Sequence, residues 1–265
     1  MLPMDEKFLK RMDSELTGWA DPVTRLRQAI EKDEFALYCQ PILGLGPKGG
    51  YPMGEVLVRM REEEKALLPP GDFLPVFEHY RMMPQLDRWV VRNTVKRLAA
   101  GSRIPSFTVN LSGQTIADPD FLRFVGAQLS MYKVAADALM FELDESDVLL
   151  HSDQATQFAN AFRSLGVRLL VDGFGRRAVS FSVIEALGAA FVKVDGCITR
   201  KILANEGARN KVNATLRVGE ALNFAVVAEC VEDQDILLRL KALGVGYAQG
   251  FGIYQPHPID KVAGS

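Results

Sequence analysis

Cysteine and histidine are scarce in this 265-residue chain, three of each, and neither set is spaced for a metal. Cys39, Cys197 and Cys230 fall in separate segments with no CxxC pair, which excludes a zinc ribbon or a disulfide framework and fits a reducing compartment. All three are expected to be small buried residues. His79, His151 and His257 lie in helix or loop contexts and read as structural. No sign of charge dominates. With 31 Lys and Arg against 33 Asp and Glu, no global field argues for DNA or for an anionic membrane, although a local basic site stays open. No run approaches the roughly 18 uninterrupted apolar residues of a membrane span, and the start MLPMDEKFLK has no signal-peptide core. The expectation is a cytoplasmic segment that does not insert into membrane, standing alone or as the cytoplasmic part of a larger protein. There is no repeat with a period of 20–50 residues, and the run REEEK (61–65) reads as a solvated loop.

What is present is a chain 48% hydrophobic and long enough for one large domain. The first 34 residues read as a helical arm, with the barrel domain described below taking 35–265. In ADPVTRLRQAIEKDE, Asp21 is placed as an N-cap, Pro22 at the first helical position, and Leu26 and Ile30 one turn apart on one face. Beyond the arm, short apolar runs alternate with longer amphipathic ones. Eight runs read as strands: 36–43, 54–60, 107–112, 139–145, 167–173, 190–195, 225–230 and 246–250. Helical patterns fill gaps at 84–100, 154–166 and 210–223. Eight strands with intervening helices predict a (β/α)8 TIM-type barrel. The rival, an open doubly wound sheet, would carry a Gly-rich turn after its first strand, whereas LGLGPKGGYPMG (44–54 within it) joins the first two strands directly. That hairpin makes the barrel a modified one with one antiparallel strand.

Polar residues mark most of the strand ends: Asn110, Glu142 with Glu145, Asp172, Lys193 with Asp195, Glu229 with Glu232, and Gln249. In a barrel these ends converge on one mouth. Each residue could singly be a cap or a surface pair. As a set they are costly to bury unless they pair or bind a cation, and carboxylate and amide oxygens suit Mg²⁺, Mn²⁺ or Ca²⁺ better than zinc. Glu55 begins its strand. Its membership in the group leads us to expect that the second strand is the reversed one.

In order along the chain, the segments QPILGL, GEVLVRM, LLPPGDFLPVFE, LDRWV, VNLS, FELDES, VDGFG, FVKVDG, VVAECVE and AQGFGI resemble the EAL domain, from about residue 22 to 257. The resemblance implies a modified (β/α)8 barrel that cleaves cyclic di-GMP, a bacterial second messenger, to linear pGpG with two Mg²⁺ or Mn²⁺ ions. By position, Glu55, Asn110, Glu142 and Asp172 resemble the ligands of the first metal. Lys193 resembles the lysine that contacts the hydrolytic water, Glu229 the glutamate that holds a water at the metal, and Gln249 the glutamine that completes the site. Glu145 matches the glutamate that braces the loop after the fifth strand. Leu57 and Arg59 resemble ligand-gripping residues, with Arg59 on a phosphate, and Gln40 and Asp87 match guanine contacts. Barrels of this family often pair, which leaves the oligomeric state open with a homodimer as one option.

The departures are local. Where the family has two adjacent aspartates, this chain has Asp172 and Gly173, losing a principal ligand of the second metal. One metal site is expected intact and hydrolysis impaired or absent. The loop GRRAVSFS (175–182) replaces a stretch that in the family couples metal binding to catalysis. Arg176 and Arg177 either decorate that loop or pair with a carboxylate or a ligand phosphate. Strand alternation puts Asp144 on the same face as Glu142, where it could lend the missing carboxylate. Cys230, in the place of a family glycine, is read as filling space. Three functions therefore compete: a cyclic di-GMP receptor, a slow phosphodiesterase and a protein-interaction module.

Overall fold

A computed structural model of the chain describes residues 19, 21–61, 67–177 and 181–264. The helical reading of residues 1–18 and the acidic part of REEEK lie outside the described residues. From residue 21 onward the arm behaves as its sequence dictates. Asp21 accepts a hydrogen bond from the Thr24 amide at 3.1 Å, Pro22 opens α1 (Pro22–Glu31), and Leu26 and Ala29 are buried in the main core.

β1 (Phe35–Gly44) and β2 (Met53–Arg61) form the expected hairpin, from Phe35 opposite Met60 to Ile42 opposite Met53. β3 (Leu67–Leu68) edges β2, followed by α2 (Pro70–His79) and α3 (Met83–Ala99). Then come β4 (Ser106–Leu111), α4 (Gly113–Ile116), α5 (Phe121–Tyr132), β5 (Leu139–Asp144), α6 (Glu145–Leu150), α7 (Ser152–Leu165) and β6 (Arg168–Phe174). The chain continues through α8 (Phe181–Leu187), β7 (Phe191–Val194), α9 (Gly196–Thr199), α10 (Glu206–Leu222), β8 (Ala225–Ala228), α11 (Gln234–Leu243) and β9 (Tyr247–Ala248). It ends in β10 (His257–Pro258), which edges β1, and α12 (Ile259–Ala263). All eight expected strands are present among the described residues; the two-residue edges β3 and β10 were not anticipated.

The hydrogen-bonded order β1–β9–β8–β7–β6–β5–β4–β2, with β2 pairing back to β1, closes the barrel. β2 is parallel to β4, and each later strand is parallel to its neighbour. β1 is antiparallel to both β2 and β9. The reversed strand is therefore the first, which corrects the expectation that it is the second. A hairpin fixes only that its strands oppose each other; the long-range pairing of Glu55 with Thr108 decides which of them joins the parallel set.

Two apolar clusters sandwich the strands. The larger lies between barrel and helices and includes the interlocked rings of Phe121, Phe141, Phe158 and Phe162, with centroids 4.3–6.3 Å apart. Each such ring contributes roughly 1.5–3 kcal/mol by burial. The smaller cluster plugs the barrel itself: Ile42, Met53, Met140, Leu170, Phe191 and Val227. It forms an apolar floor beneath the mouth.

Candidate active site at the barrel mouth

Side chains alternate between the faces of a strand, so the inward residue above each floor residue lies two positions along. Above Met53 comes Glu55, above Met140 Glu142, above Leu170 Asp172, above Phe191 Lys193, above Val227 Glu229 and above Tyr247 Gln249. On the descending β1 the order is inverted, and Gln40 precedes Ile42. Glu55 thus reaches the mouth without any reversal of β2, because that strand continues from its floor residue to Arg61.

Lys193 is the hub. Its ammonium lies 2.5 Å from Glu142 Oε2, 3.1 Å from Glu55 Oε2 and 3.8 Å from Asp172 Oδ1, with a side chain only 1% exposed. Glu55 also accepts hydrogen bonds from Asn110 Nδ2 at 2.7 Å and Gln249 Nε2 at 2.7 Å. Gln249 Nε2 reaches Gln40 Oε1 at 3.1 Å, and Gln40 Nε2 donates to the Tyr254 carbonyl at 2.9 Å. Glu229 Oε1 accepts from the Gly196 amide at 2.7 Å.

Three carboxylates share one ammonium in a low-dielectric pocket, and their protonation reflects the excess negative charge. Burial, reinforced by the charges of Glu55 and Asp172, pushes the Glu142 carboxyl up to about 8 despite Lys193. Burial also raises Asp172, helped by Glu55 and Asp144 and opposed by Lys193. For Glu55 burial acts upward too, but Lys193, Asn110 and Gln249 outweigh it and hold the carboxyl below its ordinary range. Burial pushes Lys193 down, and the three carboxylates overcome it to hold the ammonium well above its usual value. Burial and Asp172 lift Glu229.

A hard divalent cation fits the chemistry of these donors. Glu142 Oε1 and Asp172 Oδ1 are buried with no hydrogen-bond partner, which marks unspent acceptor capacity at the centre of the cluster. Among the described residues no three His, Cys, Asp or Glu side chains are grouped so that they could hold a metal ion as they stand. The Lys193 ammonium holds the central position instead.

Around this centre lie the other expected site residues. Arg59 rests its guanidinium 5.4 Å from the Tyr38 ring centroid and donates to the Val58 carbonyl at 2.9 Å. Leu57, Asp87 and Asn110 line a cavity of about 280 Å³ whose walls include Leu74, Met83 and Val90. Asp87 turns Oδ2 toward the Ser112 amide, the Ser112 hydroxyl and the Thr115 hydroxyl, at 3.2, 2.9 and 2.5 Å. Glu145 accepts from the amides of Gly175 at 3.3 Å and Arg177 at 2.8 Å, clasping the loop after β6.

A family model described as the EAL domain matches residues 23–256. The chain belongs to the EAL domain family. It is 30% identical over 93% of its length to the cyclic di-GMP phosphodiesterase PdeB of Shewanella oneidensis, and 31% identical over 97% of its length to PdeF of Escherichia coli. It spans 30% and 34% of those two proteins' own lengths. Among solved structures it is similar to a complex of the MucR phosphodiesterase with c-di-GMP, at TM-score 0.83 and 26% identity, covering 91% of this chain and 98% of that one. It is equally similar to the EAL domain of FimX from Pseudomonas aeruginosa bound to c-di-GMP, at TM-score 0.83 and 25% identity, covering 90% and 97%.

At the end of β6, Gly173 follows Asp172. Gly173 has φ +68°, in the left-handed region, and a Cβ built on it would overlap the guanidinium of Arg176. Arg176 Nε donates to Asp195 Oδ2 at 2.7 Å, and Nη1 lies 3.5 Å from Asp144 Oδ2. Asp144 uses its other oxygen to cap α6 at the Ser146 amide. Its position on the Glu142 face leads to an arginine in this structure.

Two readings of the cysteines change. Cys39 is buried, but Cys197 is exposed in the first turn of the short α9. Cys230 is half-buried with φ +56°, a conformation glycine adopts without cost. Glu232, read as a strand-end residue, pairs at 2.9 Å with Arg200 beside Glu229 and Gln249; Arg200 was not singled out, because six residues past β7 it carries no periodic signal. Among the described residues no helix is long and apolar enough to cross a membrane.

Proposed function

We propose that this EAL domain binds cyclic di-GMP across the barrel mouth, with hydrolysis to pGpG impaired or absent. The ligand assignment is supported by the relatives named above and by the chemistry of the mouth. Arg59 offers a cation to a phosphate. The apolar cavity bordered by Leu57 suits a flat purine, with Asp87 at its wall to accept from base N–H groups. Gln40, tied to Gln249 and the Tyr254 carbonyl, offers an amide for a second base contact.

Glu55, Asn110, Glu142 and Asp172 would hold one Mg²⁺ or Mn²⁺, which when bound supplies positive charge at the phosphodiester and acidity to a water. The chain's own groups do the rest. Lys193 sets fixed positive charge against the negative charge that develops on the phosphoryl oxygens. Glu229, its carboxyl raised by burial, is placed to hold a water or take a proton. Gln249 fixes the orientation of Glu55 by the bond to its Oε2.

The observation that carries the impairment is Gly173. The position following Asp172 offers no oxygen donor, and the adjoining space is filled by Arg176. A second ion lost from such a site removes stabilisation of either the attacking or the leaving oxygen. A loss of several orders of magnitude in turnover is more than about 4 kcal/mol of transition-state stabilisation. The second reading, a working phosphodiesterase, is favoured by one observation: Lys193, Glu229 and Gln249 stand assembled around the first donor set.

Calorimetric titration with cyclic di-GMP, followed by chromatography for pGpG in Mg²⁺ and in Mn²⁺, separates the readings. Binding without product supports the receptor, and product supports the enzyme. No binding leaves a protein-interaction module. The ligand would place the domain in the cytoplasm, and sedimentation with and without cyclic di-GMP would test whether the domain forms a homodimer.

A further inference from the structure

Asp144, Asp172 and Asp195 stand at the ends of β5, β6 and β7, three neighbouring strands. Asp144 and Asp195 are used alike. Each spends one oxygen capping a short helix, on the amides of Ser146 and Cys197, both at 2.7 Å, and turns the other toward Arg176. Asp172 adds its charge to the field that holds the guanidinium. Within the ring of carboxylates, Glu142 Oε1 and Asp172 Oδ1 are buried without a hydrogen-bond partner, Asp172 Oδ1 lying 3.8 Å from the Lys193 ammonium, and the Glu142 side chain is sealed from solvent.

Backbone hydrogen bonds hold the turn that carries Arg176. Its amide donates to the Gly173 carbonyl at 3.3 Å, and the residues on either side of it, Gly175 and Arg177, are clasped by Glu145. With the turn hydrogen-bonded and the guanidinium paired to two carboxylates, this arginine is placed over the rim by specific contacts. Its head group also occupies the volume that a side chain at position 173 would enter.

We propose that the Arg176 guanidinium is the resident cation of the Asp144–Asp172–Asp195 rim and that it excludes a second divalent ion from it. The inference deepens the proposed function, in which the mouth holds one ion. It is tested by a difference in ion count, so it stands or falls separately. A fixed monocation in place of a second ion neutralises part of the rim's charge, but it has no open coordination position to offer an oxygen.

The test is the number of Mn²⁺ ions bound by the whole chain, counted by electron paramagnetic resonance of free Mn²⁺, with folding checked by circular dichroism. Gly173→Asp restores a carboxylate at a left-handed position that aspartate tolerates. Gly173→Asp alone is expected to bind as many ions as the wild type, because Arg176 still fills the space. Gly173→Asp/Arg176→Ala is expected to bind one more, and so is Gly173→Asp/Arg176→Gln, which keeps more of the arginine's bulk should the alanine variant not fold. An extra ion in Gly173→Asp with Arg176 retained would overturn the inference, as would no extra ion in either folded double variant. A wild type that binds no ion beside a double variant that gains one would sink the first-metal part of the proposed function and leave this inference standing. A wild type and double variants that all bind one ion would do the reverse.

Discussion

The ammonium of Lys193 stands 2.5 Å from Glu142 Oε2 with both side chains at most 1% exposed. Removing one partner from such a buried pair leaves an uncompensated charge and costs about 3–5 kcal/mol, far more than a surface pair. Lys193→Met is therefore expected to lower the unfolding free energy of the chelator-treated domain, read from urea denaturation, by an amount in that range. Mn²⁺ should stabilise the variant more than the wild type, since its carboxylates have lost their ammonium. Equal midpoints in chelator would show that the pair does not hold the mouth together.

Asp87 gives the fold a pH dependence of known sign. Burial pushes its carboxyl up to about 6 from an ordinary 3.8, and the hydrogen bonds from Thr115 and Ser112 recover only part of the shift. The folded chain binds this proton more tightly than the unfolded chain, so the contribution is complete below pH 3.8 and is lost as pH rises through about 6. The shift corresponds to about 3 kcal/mol. Asp87→Asn, which keeps an oxygen for Ser112 and Thr115, should remove that slope. Urea denaturation at pH 4 and pH 7 measures it, and identical slopes in both proteins would refute the assignment.

Glu145 holds the loop after β6 by two backbone amides. Glu145→Ala leaves those donors without their carboxylate and should cost about 1–3 kcal/mol. Hydrogen exchange should quicken at Gly175 and Arg177 while the strand core keeps its protection. Unchanged exchange at those two amides would mean the loop is held by something else.

Arg59 sits over Tyr38 without a carboxylate partner among the ion pairs described above. If it meets a phosphate, Arg59→Ala removes a charge-assisted contact of about 1.5–3 kcal/mol and weakens cyclic di-GMP binding about 10- to 100-fold. Calorimetry reads this directly. Unaltered affinity would move the phosphate elsewhere.

Much of this site was legible because period-2 alternation converts a list of strand-end residues into a common surface. Met140 and Glu142, or Phe191 and Lys193, are floor and mouth of the same strand, and the spacing of two can be read without coordinates. Strand direction was not legible in the same way. The 44–54 connection shows that β1 and β2 oppose each other, but only the pairing of β2 with β4, fifty residues on, shows which of them is reversed. Arg176 was ambiguous for a related reason. A charged loop residue has no period, and its place is set by Asp144 and Asp195, which arrive from two other strands. The exposure of Cys197 in the first turn of α9 is likewise a property of the assembled fold rather than of the local sequence.

The descent of β1 has a mechanical result. Because that strand runs away from the mouth, α1 and residues 32–34 are delivered to the rim that carries Arg59, not to the floor. The Arg61 amide donates to the Glu34 carbonyl at 2.7 Å. The helix before the barrel is thereby tied by a main-chain bond, as well as by its buried Leu26 and Ala29, to the end of the strand that bears Leu57 and Arg59.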